Sequence, residues 1–578
     1  MPNLLQLARG GTFAAVLGAL LQAGALIVGL TTGTSILLFP VAAIAGVAFM
    51  LIPDSDRRAQ TLGAMLGAAA AGGWGAVTGF GSLEVAMVAG GLAAATTLSL
   101  IHSVDGRRVP FVGLAIGALA LVLLNLVPLV LDGGGLNHDE SAYALKAKHW
   151  LYGTPETGWN LHRGIAMSAY GYIALSFGGE EPMLRVLGLV AVMGFAGGTW
   201  ALATAMGKGW VGPIAGVAAV SGPALLRRGT EYLSDIPSSA LLLVCMTIVW
   251  WQFGDQRHPT YRLLWLLPVA WLAFYIRYQS VLSLGLIGVA ILVLWWGKVR
   301  ERPGPLIAVV LLGLIGLIPH FVFAASETGS PLGILTFTSG VAGREFYGEG
   351  LVDYALLMGW SLAGFVGPVA TVLVFLWLVR SWSERFQRTK ALFLVIPAAG
   401  QVLALGILSH GESRFVFFPL ALTVVGGVTG FVHLRARWRR TTVAAASLGL
   451  IILLLGSLAL SVASVRRSIE NRAFATEPVE LAAATVSLLS VNSCGVMTSY
   501  LPQITYYSEC FTGPFRLHLN PSDALARVSG ESKYMVLIED GKGQPLDNDL
   551  DELVALTTGD AIEIHGERDS ADLYIFEP

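Results

Sequence analysis

The chain reads as a succession of apolar runs separated by short polar turns. A helix needs about 20 apolar residues to cross the hydrocarbon of a bilayer. Such runs lie at 11–30, 33–52, 61–80, 84–101, 109–131, 183–205, 210–226, 236–254, 261–276, 279–297, 304–324, 354–378, 391–409, 415–434 and 441–464. The pattern predicts an all-α polytopic membrane protein of about fifteen spans. The run at 210–226 is short and contains Pro213 and Pro223, so a kinked or re-entrant course is expected there. Residues 11–30 follow Arg9 as a signal peptide would, but the second apolar run begins at 33, and a secreted soluble chain does not continue in that way.

Beyond the last run the pattern changes. EPVELAAATVSLLS (477–490) has helical spacing, whereas CGVMTSY (494–500), KYMVLIED (533–540) and ADLYIFEP (571–578) read as strands, with LPQITYYSE (501–509) as a connecting piece. These elements predict a small C-terminal α/β domain. The organisation expected is therefore additional transmembrane helices over 1–108, a transmembrane core over 109–465 with long loops at 132–182 and 325–353, and a soluble domain over 466–578.

Composition supports burial in lipid. Of 578 residues, 54% are hydrophobic and 13% charged, against about 25% charged in soluble domains. The 69 glycines suit helices that pack backbone to backbone. A net charge of −2 offers no basic surface for nucleic acid. The placement of Lys and Arg sets the orientation, since cytoplasmic loops are basic. With the N-terminus inside, the inner loops contain Arg57 and Arg58, Arg107 and Arg108, Lys208, Arg257 and Arg262, Lys298 with Arg300 and Arg302, Arg380 through Lys390, and HLRARWRR (433–440). The loops at 132–182 and 325–353 and the C-terminal domain then face outward from a plasma or inner membrane. Cys494 and Cys510 lie in that outer domain, where an oxidising compartment favours a disulfide. Two buried free thiols are the other reading.

The outward ends also collect the chemistry. NHDESAYALKAKHWLYGTPETGWN (137–160) places Asp139 and Glu140 at the start of an amphipathic helix that continues through Tyr143, Lys146 and Trp150. Asp139 taken alone reads as a helix N-cap, with Glu140 complementing the dipole. Other charges fall at the same predicted side: Arg227, Arg228, Glu231 and Asp235; Arg277 with Tyr278; His410, Glu412 and Arg414. Charges at membrane depth face a cavity or a partner. Arginines there suit bidentate phosphate binding, and a carboxylate suits proton removal from a hydroxyl. There is no Walker-type phosphate loop, no HExxH and no CxxC, so nothing points to nucleotide coupling or a zinc-thiolate site. The sequence fixes no cofactor. A divalent metal is the one this chemistry admits, with Glu140, His138 and His410 as first candidates and His149 and His162 as further imidazoles.

With these motifs in view, the sequence resembles the C-type membrane glycosyltransferases that use polyprenyl-phosphate sugars, among them protein O-mannosyltransferases, lipid A aminoarabinose transferases and dolichol-phosphate-mannose-dependent mannosyltransferases. The resemblance covers 109–470 and, in general plan, the outer domain. It rests on Asp139-Glu140 before a juxtamembrane helix, on YLSDIPSSALLL (232–243) with Asp235, and on SHGESRFVFFPL (409–420). The last is similar to the HKExRF element of the mannosyltransferase branch, with Gly411 where that branch has Lys. That departure, and the four additional spans ahead of the core, weaken assignment to one branch.

The resemblance implies transfer of a sugar, with inversion, from a polyprenyl-phosphate donor to a hydroxyl of a glycan, lipid or protein acceptor. It makes Asp139 the base or orienting carboxylate, with Glu140 assisting. It makes Arg227, Arg228, Arg277 and Arg414 ligands for the donor phosphate. Asp235, Tyr278, Glu412, His410 and Lys146 would position sugar or acceptor. A transporter or lipid-linked sugar flippase is the alternative of another class; it would show inverted repeats, and none is evident. A polysaccharide polymerase or ligase would use a lipid diphosphate and an Arg-rich outer loop, whereas 325–353 holds only Arg344.

Overall fold

The computed structural model describes residues 133–178, 181–207, 209, 211–254, 258–336, 346–357, 360–435, 440–490, 493–515, 528–538, 554, 557, 561–566 and 569–576, with isolated residues between 119 and 131. The runs at 11–30, 33–52, 61–80 and 84–101 lie outside the described residues.

The long loop expected at 132–182 contains two helices, α1 (His138–Tyr152) and α2 (Ile165–Ser176). Then come α3 (Glu181–Met206), the short α4 (Val211–Ala219) and α5 (Pro223–Gly229), and α6 (Asp235–Phe253). A 3-10 turn at Tyr261–Trp265 leads into α7 (Leu266–Ile276), followed by α8 (Ser280–Glu301) and α9 (Gly304–Thr328). The remainder of the core is α10 (Glu349–Leu357), α11 (Trp360–Ala363), α12 (Val366–Arg380), α13 (Arg385–Leu408), α14 (Phe417–Arg435) and α15 (Arg440–Leu489). Among the described residues, six helical segments are long and apolar enough to cross a membrane, and three shorter apolar helices accompany them. The outward face of α9 is a continuous strip of Leu311, Leu314, Ile315, Ile318 and Val322, each more than half exposed, as a lipid-facing surface requires.

Two expected spans are broken. The run at 210–226 stops at Ala219 and restarts at Pro223, where the ring fits the first helical position and Gly222 stands as N-cap. A break inside a bundle exposes backbone groups that must be satisfied. Here the Ser221 carbonyl accepts from Ser457 Oγ at 3.1 Å and Ser461 Oγ at 2.7 Å, both on α15. The run at 354–378 becomes α10, α11 and α12, with Gly364 at φ 58 between the last two. The span at 441–464 and the helix at 477–490 are one element, α15, of 50 residues. The domain boundary expected at 465 therefore falls inside a helix.

The main core joins α3, α4, α6, α8 and α12 to α15 through residues such as Phe195, Val249, Trp250, Phe393 and Phe417. Close approach depends on Gly188, where a Cβ would stand 2.5 Å from the Glu231 carbonyl oxygen. At one end of the bundle, lysines close the helices. Lys298 Nζ donates to the Phe253 carbonyl at 2.7 Å and Lys390 Nζ to the Met206 carbonyl at 2.5 Å, which places cations on the negative ends of α6 and α3. The opposite ends of α3 and α6 hold Arg185 and Asp235.

The C-terminal domain is a five-stranded sheet in the order β2-β1-β3-β5-β4, built from β1 (Cys494–Met497), β2 (Phe511–Gly513), β3 (Ser532–Ile538), β4 (Ile562–His565) and β5 (Ser570–Phe576). β1 pairs parallel to both β2 and β3, and β5 runs antiparallel to β3 and β4. The segment expected as a connecting piece is a helix, α16 (Leu501–Ser508), which makes the β1–α16–β2 crossover that parallel pairing demands. One sheet face packs on Val479, Ala482, Ala483 and Val486 of α15. Cys494 and Cys510 form a disulfide that brackets α16.

α16 also reaches the membrane-proximal loop. The Leu136 amide donates to Tyr507 Oη at 2.7 Å. Lys148 Nζ donates to the Tyr506 carbonyl at 2.7 Å and pairs with Glu509 at 2.9 Å. Replacing Cys494 and Cys510 together by Ser removes a cross-link spanning 16 residues. The expected cost to the C-terminal domain is about 3 kcal/mol, read by proteolysis or thermal denaturation; an unchanged melting profile would show that the strands hold α16 without it.

Candidate active site

Asn137 supplies the N-cap of α1. Its side chain accepts from the Asp139 and Glu140 amides at 3.0 and 3.1 Å, while Glu140 Oε2 accepts from the Asn137 amide at 3.0 Å. This is a capping box. Asp139 taken alone reads as the cap; the structure assigns that duty to Asn137, because Asp139 sits two positions further into the helix. Its carboxylate is consequently free to leave the helix end.

It meets two guanidiniums from elsewhere. Arg163 Nη2 donates to Asp139 Oδ1 at 2.9 Å, and Arg414 Nη1 donates to Asp139 Oδ2 at 2.5 Å. Arg163 lies between α1 and α2, its guanidinium 4.9 Å from the Tyr143 ring centre, and the Tyr143 hydroxyl is 2.8 Å from Ser234 Oγ. Arg414 follows α13 in a 3-10 turn, Ser413–Val416, and its Nε also donates to Glu412 Oε2. His410 Nε2 stands 3.3 Å from Glu412 Oε1. The Phe415 ring lies between two cations, with Arg414 at 5.6 Å and Arg277 at 5.2 Å. Arg277, at the end of α7, donates to Asp235 Oδ1 at the start of α6 and to Gln279 Oε1 at 2.6 Å. Arg163, Asp139, Arg414 and Glu412 thus form one chain of alternating charge, and the Arg277–Asp235 pair meets it across Phe415.

Burial alone would raise the Asp139 carboxyl, but Arg163 and Arg414 outweigh it and hold the group well below the usual carboxylate range. Burial likewise opposes ionisation of Glu412, and Arg414 again outweighs it, leaving that carboxyl lowered. Burial, followed by the Arg163 charge, lowers the His162 imidazole to about 4, so it is neutral at ordinary pH.

A second cluster lies deeper. Glu140 is fully enclosed; Oε1 accepts from the Tyr232 amide at 2.9 Å and from Arg185 Nε at 3.4 Å. Arg185, 1% exposed, also donates to the Gly135 carbonyl at 2.6 Å. Arg472 of α15 stands 4.0 Å from Glu140 and 3.9 Å from Glu231. Glu231 in turn pairs with Arg228 at 2.7 Å and Arg227 at 3.8 Å. Glu140 therefore sits next to Asp139 in sequence but faces the opposite way, into the protein.

The other expected site residues are dispersed. Lys146 pairs with Glu156 at 2.6 Å and lies over the Trp159 ring. Tyr278 packs against Phe274 and His320, the latter at 4.5 Å. Arg227 is 54% exposed at its side chain. Among the described residues, no three His, Cys, Asp or Glu side chains gather closely enough for a metal ion. His149 Nδ1 is 2.7 Å from the Thr154 carbonyl, Glu140 is enclosed by arginines, and His138 and His410 do not converge on it. These side chains do not fit a shared metal.

Sequence reasoning passed over Arg163, Arg185, Arg472 and Phe415. Arg163, inside LHRG of the outer loop, was findable as a cation within the loop that carries Asp139. Arg472 was hidden because α15 was read as two elements.

No family model matches the chain, and no curated protein matches it in sequence. Solved structures do share its architecture. The crystal structure of ArnT from Cupriavidus metallidurans bound to undecaprenyl phosphate is 13% identical, with a TM-score of 0.56 over 82% of this chain and 98% of that one. The chain shares the fold of ArnT. The apo form of ArnT gives 13% identity and a TM-score of 0.55, over 80% of this chain and 98% of that one. The Archaeoglobus fulgidus oligosaccharyltransferase in complex with zinc and sulfate gives 12% identity and a TM-score of 0.50, over 77% of this chain and 72% of that one.

Two outcomes follow from the contacts of Glu140 and Asp139. Glu140→Gln leaves Arg185 buried without its carboxylate, which is expected to destabilise the protein by about 3–5 kcal/mol, read as a lower melting temperature in detergent. An unchanged melting temperature would assign the neutralisation of Arg185 to another group. Asp139 has a depressed folded pKa, so its contribution is full above the unfolded value of about 3.9 and is lost as pH falls through the folded one. The stability gap between wild type and Asp139→Asn is therefore expected to be level from neutrality to about pH 4 and to shrink below that. A gap that closes near neutrality would place the linkage on a different residue.

Proposed function

We propose that this chain is an integral membrane glycosyltransferase that moves a sugar from a polyprenyl-phosphate donor to an acceptor hydroxyl. The observation that carries the reading is the convergence of Asp139 with Arg163, Arg277 and Arg414, from four separate parts of the chain, at the bundle end away from the lysine-closed helices. The fold it shares with ArnT, whose crystal structure contains undecaprenyl phosphate, supports the choice of donor. The basic loops support an orientation with the N-terminus cytoplasmic and this end outside.

In this reading the acceptor hydroxyl attacks the anomeric carbon from the face opposite the phosphate. The new C–O bond forms as the bond from carbon to phosphate oxygen breaks, with inversion. Asp139 orients the hydroxyl and takes its proton. Arg277 and Arg414 stabilise the charge that develops on the departing lipid phosphate. Asp235 and Glu412 hold those arginines in place, Arg228 adds positive charge beside Glu412, and Glu140 positions α1.

The test is to incubate the purified full chain with a panel of polyprenyl-phosphate sugars and candidate acceptors and to identify transferred sugar by mass spectrometry. One donor is expected to be consumed, and Asp139→Asn is expected to lower the rate by about two to four orders of magnitude. Transport of a lipid-linked sugar in proteoliposomes with no covalent product would overturn the enzyme reading. Full activity of Asp139→Asn would remove that residue from the chemistry.

A further inference from the structure

Both oxygens of Asp139 are occupied by arginines, which is the wrong state for a proton acceptor. A carboxylate whose two oxygens each accept a hydrogen bond from a cation gains little by taking a proton. The two arginines are not equivalent. Arg163 is 6% exposed at its side chain, stacks on Tyr143 and reaches the Asp139 carbonyl at 3.5 Å as well as its carboxylate. It is built into the base of α1. Arg414 is 20% exposed, stands on a 3-10 turn, and is divided between Asp139 and Glu412. It also touches Phe415, whose other cation is Arg277. Arg414 is therefore the side chain that joins the carboxylate end of the site to its second cation.

The charge balance of the reaction gives this position a meaning. Before transfer, Asp139 carries one negative charge and the donor phosphodiester another. Afterwards the proton sits on Asp139, which is neutral, and the lipid phosphate monoester carries two. The total is conserved while one unit of negative charge moves from Asp139 to the phosphate. A guanidinium able to contact both can follow that charge.

We propose that Arg414 is an exchangeable lock on Asp139: it neutralises the carboxylate while no donor is present and transfers to the donor phosphate when one binds, leaving Arg163 to hold the carboxylate in place. Acceptor activation then follows donor binding, and a bound acceptor alone is not deprotonated. This rests on the glycosyltransferase reading and adds to it an order of events and unequal roles for two arginines.

The experiment measures binding of a polyprenyl monophosphate to the purified full chain in detergent, for wild type, Asp139→Asn, Arg414→Gln and the double variant. If the phosphate must take Arg414 from Asp139, Asp139→Asn binds the probe more tightly, by about tenfold, a coupling of the size contacting charges show in double-mutant cycles. In the Arg414→Gln background the same change has no effect. Glu412→Gln, which loosens the other tether of Arg414, is expected to act in the same direction and with the same dependence, and it keeps the test decisive if Asp139→Asn folds poorly. Tighter binding that persists without Arg414 would reflect simple removal of negative charge and would overturn the exchange, as would no change at all; both leave the glycosyltransferase reading standing. Failure of the wild type to bind the probe would overturn that reading and the exchange with it.

Discussion

The first turn of a helix presents backbone N–H groups that no earlier turn can satisfy, and in α1 Asn137 and Glu140 take that duty between them. Everything at the candidate site depends on this division. Because the cap is Asn137, the carboxylate two residues on has no backbone partner to serve. Because Glu140 closes the box from inside, α1 is fastened to the protein by the residue beside Asp139. Two adjacent acids then point in opposite directions, one into a sealed pocket with Arg185 and Tyr232, the other toward Arg163 and Arg414.

The same constraint governs the remaining charges. An ionised group leaving water needs a partner, and a guanidinium can serve two carboxylates at once. The structure uses this repeatedly: Arg414 joins Asp139 to Glu412, and Arg472 stands between Glu140 and Glu231. The centre of the inner cluster is closed, with Glu140 and Arg185 almost completely buried. The outer one is partly open, since Asp139, Glu412 and Arg414 keep between 20% and 29% of their side-chain surface. A sealed network fixes geometry, and an open one can change partners.

Much of this arrangement was legible in the sequence for a physical reason. Apolar runs announce helices in lipid, and the expense of charge in that setting makes each Arg or Asp at a helix end conspicuous. Asp139, Asp235, Arg277, Glu412 and Arg414 stood out on that ground and do come together. What the sequence concealed was direction. Hydropathy could not tell that Glu140 turns inward, that Tyr278 packs on His320, or that Lys146 is engaged by Glu156. Nor could it show that the breaks at 220–222 and near Gly364 are tolerated, since the groups that satisfy the first, Ser457 and Ser461, come from more than 200 residues away. The α16 helix was missed because eight residues carrying Pro502, Ile504, Thr505, Tyr506 and Tyr507 have no helical signature of their own; its docking against α1 and the sheet overrides that weak propensity.

At 50 residues, α15 is about 75 Å long, more than twice the roughly 30 Å of bilayer hydrocarbon. It leaves the bundle beside Ser221, passes Arg472 in the inner charge cluster and ends beneath the sheet of the C-terminal domain, with Pro478 inside the helix just before the residues that meet the sheet. One helix thus has its foot among the transmembrane helices and its head under that sheet. A pull or tilt applied to the domain would be carried through this helix to Arg472, and so to the carboxylate that anchors α1. Mechanical load on the C-terminal domain would thus be registered one residue away from Asp139.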